Sequence, residues 1–244
     1  MELKDKNHLP VFDPATSDVA NKIVLITGSS DGIGKATALE FAKHGANIVV
    51  TYCSNKKRGE EVFRECNKIK ESLLLQLDVT NNESVKNCIE KTIDKFGAID
   101  ILVNNAGVVI EKNFAEESNK EIDFQIDTNL LGLIKMTKSV LPYMQGQNSG
   151  IIINIASQIG KKVEWKDLSV YCATKFAVRG FTQALAKELP EGIKIFCVNP
   201  GMTATKITGF KGVEPKKVAE VILKTATGEI KPDENFDVDV WNYV

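Results

Sequence analysis

Tyr171 and Lys175 stand four residues apart in the run Tyr-Cys-Ala-Thr-Lys, ahead of an apolar, helix-compatible stretch. On a helix, such positions share one face, a turn apart. A tyrosine hydroxyl with an ordinary pKa of about 10 is a poor proton shuttle at neutral pH. A fixed ammonium beside it favours the phenolate and draws that pKa down. The pair thus reads as a proton donor with its own tuner, or as two unrelated residues on one helix face. A second run, Thr27-Gly28-Ser29-Ser30-Asp31-Gly32-Ile33-Gly34, follows a short β-branched stretch and opens a helix. Glycines there let backbone N–H groups approach an anion, and a helix N-terminus favours negative charge. This is the setting of a phosphate-binding turn, although the glycine spacing of three residues and then one is not the usual dinucleotide pattern.

The elements that must carry these groups alternate in type from Lys22 onward. Strands are expected at 23–27, 48–51, 73–77, 99–103, 151–155 and 193–198. Helices are expected at 32–44, 56–70, 82–96, 169–189 and 214–225, with a long helical region at 118–144 broken near Phe124. Residues 236–241 alternate apolar and acidic, as a half-exposed edge strand does. Strand–helix alternation predicts right-handed βαβ units and an α/β fold: a doubly wound parallel sheet of about seven strands with helices on both faces. Residues 1–20, polar and containing Pro10 and Pro14, read as an N-terminal arm, and residues 21–244 as a single domain.

With the elements in order, further residues fall into place. Asp78-Val79 follows the third strand, Asn104-Asn105-Ala106-Gly107 the fourth, Ser157 the fifth, and Pro200-Gly201 the sixth, with Thr203 beyond. Asn129 sits in the long helical region. This ordered set, covering about residues 22–205, resembles the short-chain dehydrogenase/reductase family, the single-domain Rossmann-like kind with Tyr-x-x-x-Lys. The resemblance implies an NAD(P)(H)-dependent oxidoreductase that interconverts a carbonyl and a secondary alcohol, with 3-oxoacyl thioester reduction as one member of that class. It implies that Tyr171 is the general acid/base and that Ser157 donates a hydrogen bond to the substrate oxygen. Lys175 lowers the Tyr171 pKa and binds the nicotinamide ribose, and Asn129 helps hold a relaying water. Cofactor contacts are implied for Thr27 to Gly34, Tyr52, Asp78, Val79, Asn105, Ala106, Gly107, Tyr171, Lys175, Pro200, Gly201 and Thr203. Each has a plainer reading: Asp78 as a cap of the helix near Asn82, Asn129 as a buried residue bonded only to backbone, Ser157 as a turn serine. Paired helices across a two-fold axis imply a homodimer or homotetramer.

Two departures from the family pattern stand out. Ser157 and Tyr171 are separated by one residue more than the resemblance implies, which predicts a bulged loop. The segment after Gly201 is short, which predicts a shallow, open pocket. Tyr52 holds the position where NAD-preferring relatives place an acid, and Lys56 and Lys57 follow, so NADP(H) is favoured over NAD(H) despite Asp31 in the turn.

Composition excludes several other classes. The chain has 244 residues, 31 Lys and Arg, 32 Asp and Glu, and a net charge of −1, which gives no electrostatic case for nucleic acid or an anionic membrane. No apolar run is long enough to span a bilayer. Five scattered cysteines without Cys-x-x-Cys suit a reducing cytoplasm and no metal site, and His8 and His44 look incidental. Two competing functions remain: a nucleotide-binding regulatory or scaffold protein without turnover, and an extended sugar-nucleotide epimerase. The four intact polar residues argue against the first, and the short stretch after Gly201 against the second.

Overall fold

The structure, a computed structural model, describes residues 18–244. The expected arm 1–20 therefore lies almost wholly outside the described residues. Val19 is 3% exposed and sits in the core.

Seven strands form one parallel sheet: β1 Ile23–Ile26, β2 Asn47–Tyr52, β3 Ser72–Gln76, β4 Ile101–Asn104, β5 Gly150–Ile155, β6 Ile193–Asn199 and β7 Asp237–Asp239. Their order is β3-β2-β1-β4-β5-β6-β7. The helices are α1 Gly32–Lys43, α2 Lys56–Asn67, α3 Asn82–Phe96, α4 Asn119–Ile126, α5 Gly132–Gln147, α6 Ser169–Ala186 and α7 Pro215–Thr227. The two-residue period of the strands sorts their apolar side chains onto two faces. Val24, Ile26, Ile48, Val50, Ile151 and Ile153 join Phe41 of α1, Val62 of α2 and Ile222 of α7 on one side. Leu25, Val49, Leu102 and Ile152 join Ile89 of α3 and Met136, Val140 and Met144 of α5 on the other. Both faces are covered, as a parallel sheet requires.

The long helical region breaks later than expected. A π-helical turn, Asp127–Leu131, separates α4 from α5 and holds Asn129, with Ser118 and Glu121 forming a capping box at the start of α4. The edge strand is also shorter than expected. Pairing with β6 covers only Asp237–Asp239, and a 3₁₀ turn, Val240–Asn242, follows. The acidic positions are not its solvent face: Asp237 is 3% exposed, because Arg179 of α6 reaches it. Among the described residues, no helix is long and apolar enough to cross a membrane.

Candidate active site

A cleft of about 760 Å³ opens at the carboxyl ends of the strands, around the point between β1 and β4 where the chain reverses its progress through the sheet. Open parallel sheets bind ligands at this point. At one end, Gly28, Ser30, Asp31, Gly32 and Ile33 line it. Gly28 has φ of +65°, a conformation that L side chains rarely adopt. Gly34 is one layer deeper, and a Cβ there would lie 2.4 Å from the Gly28 carbonyl oxygen. Thr27 and Ser29 also support the turn from behind rather than line the cleft. Thr27 Oγ1 accepts from the N–H groups of Asn105 and Ala106, each at 2.9 Å. Ser29 Oγ donates to the Ile26 carbonyl and accepts from Thr51 N–H at 2.7 Å.

Further along, Asp78, Val79, Asn105, Ala106 and Gly107 line the floor. Asp78 Oδ1 accepts from Thr80 N–H at 2.9 Å and from Thr80 Oγ1 at 2.7 Å. The cap of α3 is Asn81, whose side chain accepts from Ser84 N–H, so the capping reading does not belong to Asp78. Tyr52 departs from expectation. It ends β2 with its ring against α2, where a Cβ on Gly59 would come within 2.9 Å of it, and it does not line the cleft. Cys53, Ser54 and Asn55 line that wall instead. Asp31, which caps α1 by accepting from Gly32 N–H, is ion-paired with Arg58 of α2. Neither Arg58 nor the lining residues Thr205 and Lys206 were among the expected contacts. Thr205 had a signal, since it repeats the hydroxyl of Thr203 two residues later, whereas Arg58 was hidden behind Lys56 and Lys57.

At the far end, Ser157, Tyr171, Lys175, Pro200, Gly201 and Thr203 converge on the cleft. Ser157 comes from the end of β5 and starts the 3₁₀ turn Gln158–Gly160, while Tyr171 and Lys175 come from the first two turns of α6. Ser157 lies beside the Tyr171 hydroxyl and acts to lower its pKa, while Ser157 Oγ itself accepts from Ile159 N–H at 3.3 Å, the bond of a turn serine. Lys175, 5% exposed, donates to the Ile155 carbonyl at 2.9 Å, and its Nζ is 5.5 Å from the centre of the Tyr171 ring. Asn129 is set back from this group. Its Oδ1 accepts from Val108 N–H at 2.7 Å, and its Nδ2 donates to Val108 O at 2.8 Å and to Thr174 Oγ1 at 3.3 Å. It ties the loop after β4 to α6.

The electrostatics differ from the expected tuning. Burial pushes the Tyr171 hydroxyl up to about 12, against a smaller lowering by the Ser157 bond. Burial likewise brings Lys175 down to about 8. Burial disfavours the charged form of both groups, and Tyr171 is protonated at neutral pH. The bulge predicted between Ser157 and Tyr171 corresponds to a segment with Val163 and Trp165 59% and 40% exposed. The short segment after Gly201 forms a 3₁₀ turn, Lys206–Thr208, closed by a bridge between Thr203 and Val213, and leaves Ile207 and Phe210 exposed.

The residues at the dinucleotide end fit an extended anionic ligand. The turn has no side chain at Gly28 and Gly32, opens onto the N-terminus of α1, and its close packing leaves Gly34 no room for one. The short chain dehydrogenase family matches residues 22–215. An uncharacterized oxidoreductase of Staphylococcus saprophyticus is 36% identical over 84% of this chain and 91% of its own. A 3-oxoacyl-acyl-carrier-protein reductase of Staphylococcus epidermidis is 38% identical over 77% of this chain and 78% of its own. Among solved structures, a short chain dehydrogenase from Burkholderia cenocepacia in complex with NADP superposes with a TM-score of 0.85 at 25% identity, covering 91% of this chain and 97% of the other. A 3-ketoacyl-acyl-carrier-protein reductase from Brucella melitensis complexed with NADH gives 0.84 at 28% identity with the same coverage. The chain belongs to the short-chain dehydrogenase family. It is an oxidoreductase that uses a nicotinamide dinucleotide and acts on small molecules.

Proposed function

We propose that this dehydrogenase interconverts a carbonyl and a secondary alcohol, with Tyr171 as the general acid/base and 3-oxoacyl thioesters as the first substrates to try. The observation that carries this reading is the convergence of the Ser157, Tyr171 and Lys175 side chains at one end of the dinucleotide cleft. The cofactor supplies or takes up the hydride; the protein binds, orients and moves a proton. Tyr171, kept protonated by burial, donates its proton to the carbonyl oxygen as that oxygen gains charge. Ser157 fixes the Tyr171 hydroxyl and offers a second donor to the same oxygen. Lys175, anchored on Ile155, supplies positive charge behind Tyr171 and reaches the nicotinamide ribose. Asn129 is assigned to the catalytic set as the residue that secures the Val108 loop to α6, beside the proton relay that the family resemblance implies. Relatives named as 3-oxoacyl reductases support the substrate class. The assay is NADPH and NADH oxidation against 3-oxoacyl thioesters, simple ketones and quinones. A protein that binds the nucleotide and turns over none of them would favour the regulatory or scaffold reading.

NADP(H) is the proposed cofactor. The wall made by Cys53, Ser54 and Asn55 carries no acid to repel a 2′-phosphate, and Arg58 stands beside it. The Asp31 carboxylate, which argued for NAD(H) in the sequence, is already neutralised by Arg58. Arg58→Ala should lower kcat/KM for NADPH about tenfold and change the NADH value little, the worth of one charged contact to a phosphate. Equal losses with both cofactors, or a wild type that prefers NADH, would remove the assignment.

The assembly is proposed as a homodimer or homotetramer, in the cytoplasm, built on one domain from about residue 21. Of the apolar residues expected to crowd α6, Val178 is buried, and Phe181 and Leu185 pack on the core. Phe176 stays 42% exposed, in line with exposed Ala173, Gly180 and Ala184 along one helix face. A flat, small-residue face suits close self-association. Light scattering at micromolar concentration should return a multiple of 26.8 kDa, and a mass of one chain would exclude this assembly.

A further inference from the structure

Outside the cleft, a group of charges around one buried carboxylate lies at the sheet edge, where β7 meets α6 and the turn after Ser157. Asp237 presents a fully buried carboxylate. Arg179 Nε donates to both of its oxygens at 3.1 Å, and Nη2 adds a third contact. Asn199 Nδ2 donates to Asp237 and to Asp239, each at 3.0 Å. Lys161 Nζ reaches Asp239 at 2.9 Å and Asp237 at 3.4 Å, with Asp233 more distant at 3.8 Å. Buried ion pairs of this kind contribute little net stability, because desolvation offsets their attraction, and a well-packed apolar pair would serve the core as well. What an apolar pair would not supply is the remaining arm of the guanidinium: Arg179 Nη1 donates to the carbonyl of Gly160 at 2.8 Å.

Gly160 closes the turn that begins at Ser157. It lies so flush against α6 that a Cβ on it would come 2.7 Å from the carbonyl oxygen of Lys175. Tyr171 and Lys175 are set by their own helix, but Ser157 belongs to a separate stretch of chain. The distance between its hydroxyl and that of Tyr171 is therefore set by how this turn seats on α6. We propose that Arg179, oriented by Asp237, is a positioning residue for the reaction: it draws the Ser157 turn onto α6 and so holds the Ser157 hydroxyl against that of Tyr171. The proposal rests on the catalytic role given to Ser157 above. It also assigns a use to the acids of β7, whose partners lie 58 and 78 residues away in the chain.

The test is epistasis, run on the full chain with the best substrate from the screen. Arg179→Gln should lower kcat by about ten- to a hundredfold, the scale of a small misplacement of a reacting group, with the cofactor Kd within about twofold of wild type. Gly160→Ala, which lifts the same turn without touching any charge, should give the same pattern. Ser157→Ala alone should lower kcat. In the Ser157→Ala background, either substitution should cost less than about twofold further, because the group being positioned is gone. A general weakening of the fold would instead lower activity by the same factor in both backgrounds, and that result overturns the proposal. So does wild-type kcat in both Arg179→Gln and Gly160→Ala while Ser157→Ala is impaired. A Ser157→Ala protein with wild-type kcat removes the role of Ser157 itself, and the positioning role falls with it. If Arg179→Gln does not fold, Gly160→Ala carries the same comparison.

Discussion

Tyr171→Phe should lose turnover by about 10²-fold or more, the scale of general acid–base catalysis, with fold and cofactor affinity retained. The substitution removes one oxygen atom. The ring stays in its place on the first turn of α6, and the dinucleotide end of the cleft, built on Gly28 and the N-terminus of α1, is untouched. What disappears is the proton. Burial pushes the hydroxyl pKa up to about 12, so the wild-type residue carries the proton that a carbonyl oxygen takes as it gains charge. Steady-state kinetics beside a cofactor-binding titration check this. A variant with near-normal kcat would end the assignment of Tyr171, whatever its affinity for cofactor.

Lys175→Met should be worse, because two functions go at once. It removes the charge behind Tyr171 and the proposed contact to the nicotinamide ribose, and it leaves the Ile155 carbonyl without its donor. A loss of kcat of about 10²-fold or more and a clear rise in cofactor Kd are expected. The pH profile separates this residue from its neighbour. Burial disfavours the ammonium, so Lys175 loses its proton as the pH rises through about 8, while Tyr171 remains protonated well above that. Wild-type carbonyl reduction should therefore fall off above about pH 8, and Lys175→Met should lack that limb. A variant that keeps the limb, or binds cofactor as tightly as wild type, contradicts one of the two roles.

Much of this site was legible because its signals are local. Helix α3 runs from Asn82 to Phe96 as expected, since Asn81 caps it and Gly97 ends it in the left-handed region. The glycine turn, Asn105 to Gly107, Ser157 and the Tyr171–Lys175 pair lie at strand ends or on one helix face, so strand–helix alternation alone brings them to one side of the sheet. What the sequence hid is tertiary. The break in the long helix falls at Asp127–Leu131, several residues past the expected point, with only Gly132 just after it as a local mark; the bonds between Asn129 and Val108 accompany it. Tyr52 was assigned to the cleft from its place at the end of β2, but its ring rests on Gly59, one turn into the next helix. The acids of β7 read as a solvent face until Arg179 and Lys161 approached from distant parts of the chain.

The strand order has a kinetic consequence. No two neighbouring strands are joined by a hairpin: Val24 pairs with Ile48 on one side and with Ile101 on the other, and β7 closes onto β6 last in chain order. Every rung of the sheet must close a loop before it gains a partner, and entropy opposes each closure. Such non-local topologies fold slowly and expose unpaired strand edges on the way. During refolding, helical signal should therefore return well ahead of enzyme activity, because the cleft draws on segments from Gly28 to Thr208. For this chain, recovered turnover is a more demanding measure of native structure than recovered helix content.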